Sequence, residues 1–137
     1  MSAIDPRKLP QILFIDDSDE SRSLVRRLLM DHYVVLEASN PLDGMQLAEE
    51  TSPSLILLDH NLPQMSGSEA ATRLRMILPG TPIVIVSADI SPGARERALA
   101  AGAVGFISKP IDDKFVTLVD EYLNGKVEIL EHAEQYL

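Results

Sequence analysis

Four short apolar segments end in polar side chains, and this repeated pattern limits the folds open to the chain more than any other feature. Residues 12–15 run into Asp16 and Asp17, and residues 55–58 run into Asp59. Short runs of leucine and β-branched residues between polar residues are typical of strands buried on both faces of a parallel sheet. Ligands of such sheets bind in the crevice beyond the carboxyl ends of the strands. The pattern therefore predicts a site at one edge of an α/β sheet.

Two further segments end in the same way. Residues 83–86 are followed by Ser87, and residues 105–108 are followed by Lys109 and Pro110. Proline restricts the backbone of the residue before it, which can hold the lysine amine in place. Each polar residue alone has an ordinary explanation as a helix cap, a turn residue or a surface lysine. Together, three carboxylates, a hydroxyl and an amine at one edge favour a site for a metal ion and a phosphoryl group.

Composition narrows the class of protein. The chain has 137 residues, 45% hydrophobic and 24% charged, which is enough for one globular domain. It has no cysteine, so disulfides, thiol nucleophiles and thiolate metal sites are excluded. No apolar stretch reaches the roughly 18–20 residues of a membrane span, and the start does not resemble a secretory signal. We expect a cytoplasmic protein that binds no membrane, and the net charge of −9 argues against direct nucleic-acid binding.

Strand-like and helix-like segments alternate from residue 11 to residue 124, which predicts five βα units and a parallel sheet. Helix starts are indicated at Ser18, at Asn40 with Pro41, at Ser91 with Pro92, and at Asp112. We expect the first two helices to turn these residues inward: Leu24, Val25, Leu28 and Leu29, then Leu42, Met45 and Ala48.

The predicted division is a lead-in at 1–10, one domain at 11–124 and a tail at 125–137. Apolar residues recur weakly every three or four positions in the tail. The tail is either an extension of the last helix or a contact element for a partner, a second subunit or a removed output domain.

The chemistry of a phosphoryl-accepting carboxylate predicts a metal ion. Two unit charges about 4 Å apart repel by about 4 kcal/mol at an effective dielectric constant near 20, and a divalent cation relieves this. Mg²⁺, or Mn²⁺, bridges carboxylate and phosphate oxygens. We expect Asp17 and Asp59 as direct ligands, Asp16 as a direct or water-mediated ligand, and the backbone carbonyl of Asn61 to complete the set. Lys109 would add a second positive charge, and Ser87 a hydrogen bond to a phosphoryl oxygen.

The ordered set of motifs resembles the receiver domain of two-component response regulators. The resemblance covers roughly residues 10 to 124 and is highly specific as a set, although each motif alone is weak. The matching residues are Asp16-Asp17, the stretch from Asp59 to Gly67, Gly102-Ala103-Val104-Gly105-Phe106, Ser87-Ala88 and Lys109-Pro110.

The resemblance implies a flavodoxin-like fold, a doubly wound five-stranded parallel sheet in the order 2-1-3-4-5 with helices on both faces. It implies that Asp59 is the phosphoacceptor for a histidine kinase or a phosphotransfer protein, and that Asp16 and Asp17 hold magnesium. Ser87 would move toward the phosphoryl oxygen and Phe106 would fill the space it leaves, although Phe106 is equally well explained as a core aromatic. Lys109 would pair with the acidic site and then with phosphate.

The family resemblance places the surface that changes on phosphorylation at about residues 92–124. Charges of both signs lie there, so this surface could pair two copies of the chain as a homodimer or be only solvated. The partner downstream would be a target protein or a removed output domain.

The alternative function is a metal-dependent phosphohydrolase with an aspartate nucleophile, which would also place carboxylates at strand ends. We expect no enzyme, because the chain has no substrate-covering insertion and no spare general acid accompanies Asp59.

Overall fold

The computed structural model describes residues 9–89 and 91–124. Five strands and five helices alternate along this part of the chain, which confirms the predicted βα units. In chain order they are β1 (Gln11–Ile15), α1 (Asp19–Leu29), β2 (Val34–Ala38), α2 (Pro41–Thr51), β3 (Leu55–Asp59), α3 (Gly67–Ile77), β4 (Ile83–Ser87), α4 (Ala94–Ala100), β5 (Gly105–Ser108) and α5 (Asp113–Leu123).

The five strands form one parallel sheet in the order β2-β1-β3-β4-β5, as predicted. The register brings the carboxyl ends of the central strands level with one another. Ile15 lies beside Leu58, and Asp59 lies beside Val86. Ser87 lies beside Ser108 at the next pair. Polar residues at or just past these positions are therefore collected at one edge of the sheet.

Both faces of the sheet are covered, because successive side chains of a strand point to opposite faces. One face packs against α1 and α5, where Val25 and Phe115 are buried with Phe14 of β1. The other face packs against α2, α3 and α4 through small residues, including Ala48 and Ala71. This burial on both faces explains why the strands read as continuous apolar runs rather than as alternating patterns.

Three of the predicted helix starts have the expected capping bonds. The side chain of Ser18 accepts from the backbone N–H of Ser21 at 3.1 Å, before α1. Asn40 accepts from the N–H of Asp43 at 2.9 Å before α2, which begins at Pro41. Asp112 caps α5 in the same way. These side-chain oxygens satisfy N–H groups that have no partner within the helix.

Two local predictions were wrong. Leu42 does not face inward but is 53% exposed, because α2 turns Pro41, Gly44 and Ala48 toward the sheet. That orientation follows from the contact of Gly44 with Ile15, whose side chain occupies the space of a Cβ.

Helix α4 starts later than predicted, at Ala94 rather than at Ser91 and Pro92. Gly93 precedes it with a φ of 88°, a left-handed conformation that glycine adopts without steric cost. A helix beginning at Ser91 could not continue through this residue, so α4 begins after it. The last helix ends at Leu123 with Asn124 at its cap, near the predicted stop. Of the predicted lead-in only Leu9 and Pro10 are described, and the predicted tail at 125–137 lies outside the described residues.

Within residues 9–89 and 91–124, none of the helices combines the length and the apolar character that a membrane crossing requires.

Gly105 allows α5 to pack closely on the edge strand. A Cβ at Gly105 would lie 2.1 Å from Cε1 of Tyr122, whose ring is 4% exposed. The hydroxyl of Tyr122 accepts from the backbone N–H of Phe106 at 3.3 Å, so the ring cannot move without losing that bond.

We expect Gly105→Ala to destabilise the protein by about 1–3 kcal/mol, because the added methyl group overpacks a buried contact. Urea unfolding measures the change. Gly80→Ala is the matched control, since a Cβ there meets no described atom within 4 Å, and we expect a change within about 0.5 kcal/mol. Equal stability of the two variants would contradict this explanation of the close contact.

Candidate functional site

Three carboxylates meet at the edge of the sheet, where the sequence predicts them. Asp16 directly follows β1, Asp17 comes next, and Asp59 is the last residue of β3. Each offers a carboxylate oxygen, and these oxygens all lie within 4.8 Å of one another. Asp16 is 1% exposed and Asp59 is 6% exposed, whereas Asp17 is open to solvent. The cluster is therefore a partly buried acidic pocket with one side accessible.

Lys109 supplies the positive charge of this pocket. Its Nζ lies 3.0 Å from Oδ1 of Asp59 and 3.6 Å from Oδ2 of Asp16. Burial alone would lower the pKa of Lys109, but its hydrogen bond to Asp59 and the charges of Asp59 and Asp16 outweigh burial and raise it. The ammonium therefore stays charged while it offsets part of the repulsion between the two carboxylates.

Asp16 carries a buried oxygen that suits a metal ion. Its Oδ1 accepts from the backbone N–H of Ser18 at 2.8 Å, but its Oδ2 has no hydrogen-bond partner among the described residues. Burial raises the pKa of Asp16, and the charges of Asp59 and Asp17 raise it further, against the opposing effects of Ser18 and Lys109. An unsatisfied buried carboxylate oxygen beside two other carboxylates fits the hard oxygen ligands that Mg²⁺ prefers.

The other predicted residues lie around this pocket. Ser87 ends β4, is 1% exposed, and its Oγ accepts from the backbone N–H of Asp89 at 2.9 Å. Phe106 of β5 pairs with Ile85 of β4, so Phe106 and Ser87 lie on neighbouring strands and on the same face of the sheet. Phe106 is only partly buried. Asn61 lies in the loop after β3, two residues beyond Asp59.

Gly67 brings α3 against the end of β3, a contact that the sequence analysis did not predict. A Cβ at Gly67 would lie 2.8 Å from the carbonyl oxygen of Asp59 and 3.0 Å from Cα of His60. The N–H of Gly67 also donates to the carbonyl of His60 at 2.9 Å. The motif from Asp59 to Gly67 could have indicated this close approach, since its glycine comes directly after the loop that follows the acidic residue.

Arg22 is a second residue near the site that the sequence analysis did not single out. Its Nη1 donates to the backbone carbonyl of Asp16 at 2.6 Å. Its position in the sequence could have indicated an inward side chain. Arg22 lies three residues before Val25 and seven before Leu29, on the same face of α1 as these two buried residues.

The sequence of the chain matches a known protein family. A family model described as the response regulator receiver domain matches residues 12–120. The chain belongs to this family.

Individual relatives agree with the family match. The receiver domain is 30% identical over 101 residues to the chemotaxis protein CheY of Halobacterium salinarum, which is 73% of this chain and 84% of CheY. It is 36% identical over 109 residues to the transcriptional regulatory protein SrrA of Staphylococcus aureus, which is 79% of this chain but only 45% of SrrA. The match to SrrA thus spans less than half of that regulator.

A solved structure agrees as well. A two-component response regulator of the LuxR family from an Aurantimonas species superposes with a TM-score of 0.81 at 27% identity, covering 94% of this chain and 99% of that chain. The fold is therefore that of a receiver domain in two-component signalling, and its acidic pocket of Asp16, Asp17 and Asp59 fits phosphorylation and Mg²⁺ binding.

The pKa values of Asp16 and Lys109 are both raised, but replacing these two residues should change the stability of the metal-free receiver domain in opposite directions. The raised pKa of Asp16 means that its ionised form destabilises the folded state at neutral pH. We expect Asp16→Asn to stabilise the protein by about 0.5–2 kcal/mol at pH 7. Lys109→Met should destabilise it by about 1–3 kcal/mol, because two carboxylates lose their cation.

Urea unfolding without divalent metal measures both changes across pH. The gain from Asp16→Asn should shrink as the pH falls toward 3.8, the ordinary pKa of this carboxyl, because wild-type Asp16 then becomes protonated. Lys114→Met removes an exposed lysine of α5 and serves as the control, with an expected change within about 0.5 kcal/mol. If Lys109→Met stabilises the protein, or Asp16→Asn destabilises it at pH 7, this account of the electrostatic repulsion in the pocket is contradicted.

Proposed function

We propose that this receiver domain accepts a phosphoryl group on Asp59 from a histidine kinase or a phosphotransfer protein. The observation that carries the proposal is the position of Asp59. Asp59 ends a central strand and is 6% exposed, and its carboxylate lies 3.0 Å from the ammonium of Lys109. In the transfer, a carboxylate oxygen of Asp59 forms a bond to phosphorus while the phosphorus–nitrogen bond to the donor histidine breaks. The imidazole leaves as the electron pair returns to its nitrogen.

Asp16, Asp17 and Asp59, with the backbone carbonyl of Asn61, would hold the metal ion that the pocket fits. Bound Mg²⁺ supplies positive charge between the anionic acceptor and the incoming phosphoryl group. The clustered oxygens and the unsatisfied Oδ2 of Asp16 support this assignment. Asp16 contributes its ionised form most readily when the metal offsets the burial that raises its pKa.

Lys109 and Ser87 would bind the transferred group. The ammonium of Lys109 already contacts the acceptor carboxylate and can pair with a phosphoryl oxygen once Asp59 is modified. The hydroxyl of Ser87 accepts from the N–H of Asp89, and its own proton can be donated to a phosphoryl oxygen. Aspartyl phosphate would thus be held by one ion pair and one hydrogen bond from this chain.

Phosphorylation would be transmitted through Phe106. Its side chain shares a face of the sheet with Ser87 and is only partly buried, and it would fill the space that Ser87 leaves on moving toward the phosphoryl group. Moving a population from 1:99 to 99:1 requires about 5.5 kcal/mol of differential stabilisation, which new contacts to a phosphate can supply. The surface affected would be residues 92–124.

The wider role follows the family. We infer a cytoplasmic signalling domain spanning residues 11–124, without enzymatic turnover of its own and without direct contact to nucleic acid or membrane. Its output is a target protein or an output domain, and pairing of two copies through residues 92–124 is one form that output can take. The net charge of −9 supports protein partners over nucleic acid.

Intact-mass spectrometry after incubation with acetyl phosphate and Mg²⁺ tests the proposal. We expect the wild type to gain one phosphoryl group and Asp59→Asn to gain none. Chelation of the metal should abolish the gain, because the acidic pocket then repels the donor. Asp31→Asn, which removes an exposed aspartate from the turn after α1, is the control and should be modified like the wild type.

Failure of the wild type to gain mass with Mg²⁺ present would contradict the proposal. Continuous hydrolysis of a small phosphate ester, lost in Asp59→Asn, would instead favour the phosphohydrolase alternative.

A further inference from the structure

Arg22 binds the loop that carries the two adjacent aspartates. Its Nη1 donates to the carbonyl of Asp16 at 2.6 Å, and its side chain is only 15% exposed. The same guanidinium lies 3.7 Å from Oε1 of Glu37 on β2 and also pairs with the exposed Asp19. Arg22 therefore connects the end of β1, the first turn of α1 and the neighbouring strand.

The contact completes a set of bonds that fixes the backbone at Asp16. The N–H of Asp16 donates to the carbonyl of Ala38 at 3.1 Å, and its Oδ1 accepts from the N–H of Ser18 at 2.8 Å. The carbonyl of Asp16 is fixed by Arg22. Because the peptide bond between Asp16 and Asp17 is planar, holding that carbonyl also fixes the direction in which the chain enters Asp17.

Asp17 depends on this support more than the other two carboxylates do. It is exposed, and it makes no hydrogen bond or ion pair with another described residue. Asp59, in contrast, is held by Lys109, and Asp16 by Ser18. The place of the Asp17 carboxylate in the cluster is therefore set by the backbone that precedes it.

We propose that Arg22 is a positioning residue for divalent-cation binding. It orients the peptide between Asp16 and Asp17 so that both carboxylates face Asp59. Glu37 keeps the guanidinium in place from β2 and is itself bound by Arg26 at 2.6 Å. The inference rests on the proposed function, because it assumes that these three carboxylates hold a divalent cation.

A purely structural role for Arg22 makes a different prediction. If Arg22 only anchors α1 to the sheet, its loss lowers the thermal midpoint of the metal-free protein but leaves metal affinity unchanged in the folded molecules. If Arg22 positions the aspartates, affinity falls even at temperatures far below the midpoint, and a side chain that can still donate to the Asp16 carbonyl restores part of it.

The test measures Mn²⁺ dissociation constants by electron paramagnetic resonance of free Mn²⁺, together with metal-free thermal midpoints, on the full chain. We expect Arg22→Ala to weaken Mn²⁺ binding by about 10–100-fold, as for other residues that orient metal ligands. Arg22→Lys should recover part of the loss, since an ammonium can donate to a carbonyl. Arg27→Ala is the matched control, because among the described residues this exposed arginine of α1 hydrogen-bonds only to the carbonyl of Ser23.

Several results would overturn the inference. Arg22→Ala with wild-type affinity contradicts it, and so does Arg22→Lys with no recovery relative to Arg22→Ala. If Arg22→Ala does not fold, Glu37→Gln decides, because it loosens the guanidinium without removing it and should weaken binding by a smaller factor. Unchanged binding in Glu37→Gln would then count against the inference. A wild type that binds no Mn²⁺ contradicts the proposed function as well, which separates the two failures.

Discussion

The crowding of three carboxylates at the end of the sheet is the constraint on which the rest of this receiver domain depends. At an effective dielectric constant near 20, each pair of charges about 4 Å apart repels by about 4 kcal/mol. Lys109 offsets part of this for Asp16 and Asp59, and Asp16 keeps one buried oxygen without a hydrogen bond among the described residues. The metal-free pocket is therefore under electrostatic strain that a bound cation can relieve.

The fold concentrates these charges at low cost because all five strands are parallel and the central strands β1, β3 and β4 are buried on both faces. Aligned carboxyl ends place Asp59 and Ser87 at one edge without any long loop. Close packing then fixes the surrounding backbone: Gly67 brings α3 against the end of β3, and Arg22 holds the carbonyl of Asp16 from α1. The apolar core on each face supplies the stability, so the edge is free to carry a destabilising cluster.

The sequence predicted the fold and the location of the pocket because both depend on patterns along the chain. Apolar runs specify buried strands, and the polar residue after each run marks the edge. The contacts between distant segments were harder to predict. The sequence pattern predicts Leu42 inward with Met45 and Ala48, yet the contact between Gly44 and Ile15 sets the face of α2. Arg22 was missed because a charged residue on an inward stripe looks like an exception until its partner at Asp16 is known.

Locating the acceptor atom tests the central claim most directly. The wild-type protein is incubated with acetyl phosphate and Mg²⁺ and then reduced with borohydride, which converts an aspartyl phosphate to homoserine with release of the phosphate. Peptide mass spectrometry then identifies the modified position. The charge arrangement around Lys109 predicts homoserine at position 59 alone, and none without the phosphodonor. Homoserine at position 16 or 17, or none at any position, would contradict the assignment of Asp59 as the phosphoacceptor.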